Sequence, residues 1–170
     1  MSDSKTDEIK ARLGAQYDRY AEKFSELYQA GQEKTQEAMD KALEAAREQL
    51  AAAGELSAEQ GAQFKEYLKR DLEQTAVDMR QLGEEAKVRL DPGRLGAGAM
   101  STMAGLLQAA GKGLDFLSKK TEQALVFKTG EVTGAGTLTC MQCGKQLQMK
   151  KSAHIPPCPA CPGTQFRKSY

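Results

Sequence analysis

Four cysteines carry the chemistry of this chain. They stand as Cys140-x-x-Cys143 and Cys158-x-x-Cys161, with fourteen residues between the pairs. Two residues between paired cysteines let one tight turn aim both sulfurs at a common point. Two such turns, joined by a short hairpin, complete a tetrahedron of thiolates. The pattern predicts one structural zinc ion held by Cys140, Cys143, Cys158 and Cys161, with no position open for a catalytic water. The gap is marginally shorter than usual for paired C-x-x-C sites, yet it accommodates two short strands. Gly144 follows Cys143 and can take a positive φ, whereas Pro162 follows Cys161 and cannot. The second turn is therefore expected to be distorted, with Gly163 absorbing the strain. His154 is the only histidine and, with four cysteines at hand, reads as a loop residue and not a ligand.

Two disulfides would be the competing use of four cysteines, and they suit an oxidising compartment. The start, Met1 to Glu8, is polar and acidic and lacks the apolar stretch of a secretory signal. A cytoplasmic setting is the expectation, and there metal is the better account. No other group of residues looks catalytic. There is no phosphate-cradling Gly-rich loop after a strand, and no second histidine to build a relay. The carboxylates fall on helical faces as solvated surface. The chain reads as a non-enzyme.

The elements that must position the cysteines follow from periodicity. Ile9, Leu13, Tyr17, Tyr20, Phe24 and Leu27, then Met39, Ala42, Ala46 and Leu50, recur at steps that line one helical stripe. Gly31 is placed to bend or break that run, and Gly54 to stop it. Ser57 followed by Gln60 is a capping-box signature, in which each side chain bonds the other residue's backbone N–H. A second helix then carries Phe64, Leu68, Leu72, Met79, Leu82, Ala86 and Leu90, ending at Asp91-Pro92-Gly93. A third, glycine-weakened segment keeps a helical period through Leu95, Ala99, Met103, Leu106, Ala110, Leu114, Leu117 and Ala124. Gly130, Gly134 and Gly136 mark a hinge, after which the pattern alternates. Thr137-Leu138-Thr139, Gln146-Leu147-Gln148-Met149 and Gln165-Phe166-Arg167 each read as a short strand.

The expected fold is mainly α with a small β C-terminal domain. Residues 1–127 form a helical hairpin or a loose three-helix, coiled-coil-like body, with breaks near 54–57 and 91–93. Residues 128–136 form a Gly-rich hinge, and 137–170 a three-stranded zinc ribbon. The stripes serve as one another's core, or else leave a seam through which the helices form a homo-oligomer. The ribbon holds few large apolar side chains, too few to order it alone. Structural zinc contributes on the order of 10–16 kcal/mol in small metal-binding peptides, so the tail is expected to be unfolded without metal.

The chain resembles the YbeL-like bacterial zinc-ribbon proteins, small cytoplasmic proteins without an assigned biochemical function. The likeness is carried by Gly130-Glu131-Val132, Gly136, the two cysteine pairs with Pro159, and Gln165-Phe166. In the helical part it is carried by Gly54-Glu55-Leu56-Ser57 and Arg70-Asp71-Leu72-Glu73. The resemblance implies a helical N-terminal region, a C-terminal ribbon and the same four cysteine ligands. Pro162 stands where the family pattern has glycine. No substrate or activity is implied.

Charge divides the chain unevenly. The whole carries a formal +1, but Phe127 to Tyr170 holds six cations against the single acid Glu131, and the remainder is acidic. An acidic partner for the tail follows from that asymmetry. Two functions are weighed first. One is a non-enzymatic interaction or adaptor protein, whose ribbon grips a protein partner. The other is nucleic-acid or ribonucleoprotein binding through Lys128, Lys145, Lys150, Lys151, Arg167 and Lys168, with Phe166 or Tyr170 stacking on a base. A zinc tetrathiolate carries a net negative charge that reduces the pull on phosphate. A thiol redox sensor, which would lose zinc on oxidation, ranks behind these. So does membrane-surface association through Leu95–Leu117, a segment without a basic face, whose uncharged stretch from Leu95 to Gly111 is rich in glycine and unsuited to span a bilayer.

Overall fold

A computed structural model of the chain describes residues 2–83, 85, 88, 91, 97–110, 114–119 and 125–169. Among these, the helices are α1 (Ser2–Ala30), α2 (Gln36–Ala52), α3 (Ala58–Leu82), α4 (Ala99–Ala110) and α5 (Asp115–Lys119). The strands are β1 (Phe127–Lys128), β2 (Val132–Thr133), β3 (Gly136–Cys140), β4 (Gln146–Met149), β5 (Ala153–His154) and β6 (Gln165–Ser169). The protein is mainly helical, with small antiparallel strands at the C-terminal end that carry the four cysteines.

The long stripe breaks at Gly31, because the residues beyond it start a new helix. Thr35 caps α2, its hydroxyl accepting from the Ala38 N–H at 3.1 Å. Lys34 closes the other side, its Nζ donating to the carbonyls of Tyr28 at 2.6 Å and Gly31 at 2.8 Å. A cation there also suits the negative end of the α1 dipole. The capping box at α3 forms as the sequence signals, with Ser57 Oγ and Gln60 Oε1 each 3.1 Å from the other residue's N–H. α3 stops earlier than expected. Gly83 takes φ +54° and bonds back to the Met79 carbonyl at 3.2 Å, ending α3 at Leu82. Glu85 and Val88 are helical again. Ala86, Leu90, Pro92, Gly93, Leu95 and Ala124 lie outside the described residues.

The stripes bury one another. Tyr17, Tyr20, Phe24 and Tyr28 of α1 join Met39, Leu43 and Leu50 of α2 in one apolar cluster. Phe64, Leu68 and Leu72 of α3 and Met100, Met103, Leu106 and Leu107 of α4 complete it. Tyr17 meets Phe64 edge to face at 5.5 Å between ring centroids. The glycine-weakened third segment thus contributes a packed helix, α4. Asp18 of α1 secures its N-terminus by accepting the Ala99 N–H at 2.7 Å. Ile9, read as part of the stripe, is instead 55% exposed, and burial on α1 sets in from Leu13 onward. No described helix is long and apolar enough to cross a membrane.

The strands form a four-stranded antiparallel sheet in the order β1-β6-β3-β4 and a two-stranded pair β2-β5. The three strands read from the alternating sequence are its centre and one edge, with β1 added on the other side. Residues 128–136, expected as a hinge, are built into the structure. Val132 and Thr133 form β2 against His154 and Ala153, and Val132, Thr133 and Gly134 are all buried. His154 accordingly sits in a strand and not in a loop.

The reason lies in a buried polar cluster between α3 and the strands. Asp71 is fully buried and accepts from Tyr17 Oη at 2.9 Å, the Gly134 N–H at 2.9 Å and Thr133 Oγ1 at 3.0 Å. Lys168 of β6, also fully buried, lies 3.7 Å from Asp71. It donates to Thr133 Oγ1 at 2.8 Å and to the Gly134 carbonyl at 3.0 Å. Arg70 pairs with Glu131 and stacks 4.0 Å over the Phe127 ring. These contacts tie residues 131–134 to α3 and β6.

Candidate metal centre

The first cysteine knuckle joins β3 to β4. The Cys140 N–H donates to the Lys145 carbonyl at 2.9 Å, and the Gly144 N–H returns to the Cys140 carbonyl at 2.9 Å. Gly144 makes that return with φ +73°, as its place in the sequence predicted. The second knuckle repeats the outer bond at the same spacing, with the Cys158 N–H on the Gly163 carbonyl at 3.1 Å. The inner bond has no counterpart, because Pro162 occupies the position equivalent to Gly144 and has no N–H. Gly163 is needed for another reason than strain relief. A Cβ there would stand 2.8 Å from Cys140 Sγ and 3.1 Å from Cys161 Sγ. Only a bare α-carbon lets the backbone come that close to the sulfurs.

The knuckles bring all four Sγ atoms within 4.8 Å of one another. Cys140 faces Cys161 at 3.6 Å and Cys143 faces Cys158 at 3.6 Å. Sulfurs about 2.3 Å from a tetrahedral zinc are about 3.8 Å apart, so the donors fit that ion. Cys140 and Cys158 are buried, Cys143 is exposed and Cys161 is intermediate. The backbone N–H groups of Cys143 and Gln142 pull the Cys140 thiol down to about 7. At Cys161 the Gly163 N–H, 3.3 Å from Sγ, pulls the same way, but burial and the three crowding thiols push it up to about 12. Four thiolates at this spacing repel unless a cation sits among them. A dication in their midst would hold all four deprotonated and pin both knuckles.

Behind the site lies a small apolar cluster of Phe127, Leu138, Met149, Ile155 and Phe166, to which Cys140 and Cys158 belong. Four converging thiols on two knuckles, set at the end of a small antiparallel sheet, define a zinc ribbon. The chain belongs to the family described as zinc-ribbon containing domain, whose sequence profile matches residues 26–169. The match takes in α2, α3 and α4 as well as every strand. No curated protein and no solved structure matches the chain.

Five of the six basic residues read from the sequence reach the surface. Lys128, Lys145, Lys150, Lys151 and Arg167 are exposed. Lys168 is buried, facing Asp71 across the seam between ribbon and helices, and burial lowers its pKa to about 8 despite the neighbouring carboxylate. It is out of reach of a phosphate. Phe166 is fully buried in the ribbon core and cannot stack on a base. Tyr170 lies outside the described residues. Both corrections were legible in strand alternation, which puts Phe166 and Lys168 on one face and Arg167 on the other. The sequence reading named Asp71 only within the Arg70-Asp71-Leu72-Glu73 motif and gave it no role. Its signal was a carboxylate on the inward stripe of α3, three residues after Leu68 and next to Leu72.

Proposed function

We propose that this chain is a non-enzymatic interaction protein, an adaptor that uses one structural zinc ion to hold a recognition surface on a helical base. The observation that supports it is the two-sidedness of the ribbon. One face of its sheet is occupied by its own core and by the Asp71–Lys168 seam with the helices. The other presents exposed Gln146, Gln148, Gln165 and Arg167 beside half-buried Thr137 and Thr139. A zinc ion held by all four thiols would leave no ligand position for a substrate. Within the zinc-ribbon family, the motifs at Gly54–Ser57 and Arg70–Glu73 favour the narrower YbeL-like group.

Nucleic-acid binding is the second reading, and five exposed cations favour it. It loses weight with Lys168 and Phe166 buried, since these were one of six charges and the nearest stacking group. One experiment separates the two. The wild-type chain and Cys140→Ser/Cys143→Ser are captured from native cells with and without nuclease. A stoichiometric protein partner that resists nuclease and is lost in the variant is the expected result. Partners that vanish with nuclease and weaken steeply with salt would replace this reading by the second.

A further inference from the structure

Among the described residues the sheet ends at β4, whose outer edge has no strand beside it. The pairing of β3 with β4 sets which groups face outward. The Cys140 N–H bonds the Lys145 carbonyl, and the register runs Thr139 to Gln146, Leu138 to Leu147, Thr137 to Gln148 and Gly136 to Met149. Antiparallel ladders alternate, so Leu147 and Met149 bond to β3 while Gln146 and Gln148 turn their N–H and C=O groups away from it. Gln146 and Gln148 are exposed, and among the described residues β4 pairs with β3 alone. Lys145 lies at one end of this edge and Lys150 and Lys151 at the other, all exposed.

We propose that the β4 edge is a docking site for an extended acidic segment of a partner protein, which adds to the sheet as a fifth strand. The inference rests on the interaction reading above and deepens it. Main-chain bonds to Gln146 and Gln148 supply the pairing, and the three lysines select the charge. Alternation favours a ligand with apolar side chains beside Leu147 and Met149 and acidic ones beyond. A second copy of this chain is a poor occupant. Antiparallel pairing of two β4 strands would bring Lys145, Lys150 and Lys151 of both copies together, and like charges across strands repel. The edge also depends on the metal, because β4 starts from the carbonyl that closes the first knuckle.

The test uses the full zinc-loaded chain and two blocked hexapeptides, alternating Val with Glu or Val with Lys. Binding is read by anisotropy and by amide shifts. The Glu peptide is expected to bind, more tightly at low salt, with shifts centred on Gln146 and Gln148. Gln148→Pro removes an outward-facing donor without touching the bonds to β3. It should weaken binding about tenfold or more while keeping zinc and native amide dispersion. Lys145→Gln/Lys150→Gln/Lys151→Gln should do the same and abolish the salt dependence. Equal binding of the two peptides, undiminished binding by a folded Gln148→Pro variant, or self-association through β4 would each overturn the proposal. A cellular partner retained by Gln148→Pro but lost in Cys140→Ser/Cys143→Ser would leave the adaptor reading standing and remove only this edge.

Discussion

In the helical body, Tyr17, Phe24, Leu43, Leu68, Leu72 and Met103 come from four helices and close over one apolar cluster. In the ribbon, the corresponding cluster is Phe127, Leu138, Met149, Ile155 and Phe166, completed by two cysteines. The second is much the smaller and takes in Cys140 and Cys158, so it is expected to need a bound metal for its order where the first is not. The seam between them follows neither pattern. It is polar and charged, and its centre is a fully buried Asp71 met by Tyr17, Arg70, Thr133, Gly134 and Lys168. A seam of that kind contributes less free energy than apolar packing but accepts only one arrangement of its donors.

The sharpest break of this comparison is to remove the metal. A strong chelator, or Cys140→Ser/Cys143→Ser, should cost the ribbon on the order of 10 kcal/mol while leaving most of the helical signal in circular dichroism. Amide protection should vanish along β3, β4 and β6 and persist along α1 to α3. Protected strand amides in the metal-free chain would mean that the ribbon orders itself, and the contrast between the two regions would fail.

Cutting the seam comes next. Lys168→Ala leaves Asp71 buried with one fewer cation, and breaking a buried pair in this way costs about 3–5 kcal/mol. Arg70, 3.5 Å from Asp71, offsets part of that loss. Asp71→Asn/Lys168→Met removes both charges and should recover much of the stability, as read from denaturant midpoints. A Lys168→Ala cost below about 1 kcal/mol would show that the charges are incidental and that other contacts fix the ribbon on the helices.

What could be read before the structure follows the same division. Local rules reached far. The capping box at Ser57 and Gln60, the positive φ of Gly144 and the convergence of the four cysteines each depend on residues close in sequence, whose geometry permits few alternatives. Long-range pairing did not announce itself. Glycines at 130, 134 and 136 looked like a hinge because glycine-rich chain between domains usually is one. Gly134 is instead packed against Met100, with its N–H on a carboxylate 63 residues away. Lys168 looked like surface because lysine is rarely buried, and its partner lies on another element. Gly83, Thr35 and Lys34 were overlooked although their signals were local.

The two knuckles offer the finest test of the comparison, because the residue after the second cysteine is glycine in one and proline in the other. Gly144 donates to Cys140, whereas Pro162 has no proton to give Cys158. Pro162→Gly makes the second knuckle able to copy the first, and the restored bond is worth about 1 kcal/mol. Against it, glycine frees the unfolded chain and costs a similar amount, about 0.4–1 kcal/mol or somewhat more. The expected outcome is a variant that keeps its zinc and shifts the unfolding free energy by no more than about 1 kcal/mol. Slow exchange of the amide proton that this substitution introduces would report the added bond directly. Loss of zinc, or a destabilisation well beyond that range, would mean that the proline shapes the sulfur cage itself, and that the second knuckle is held by backbone stiffness where the first is held by a hydrogen bond.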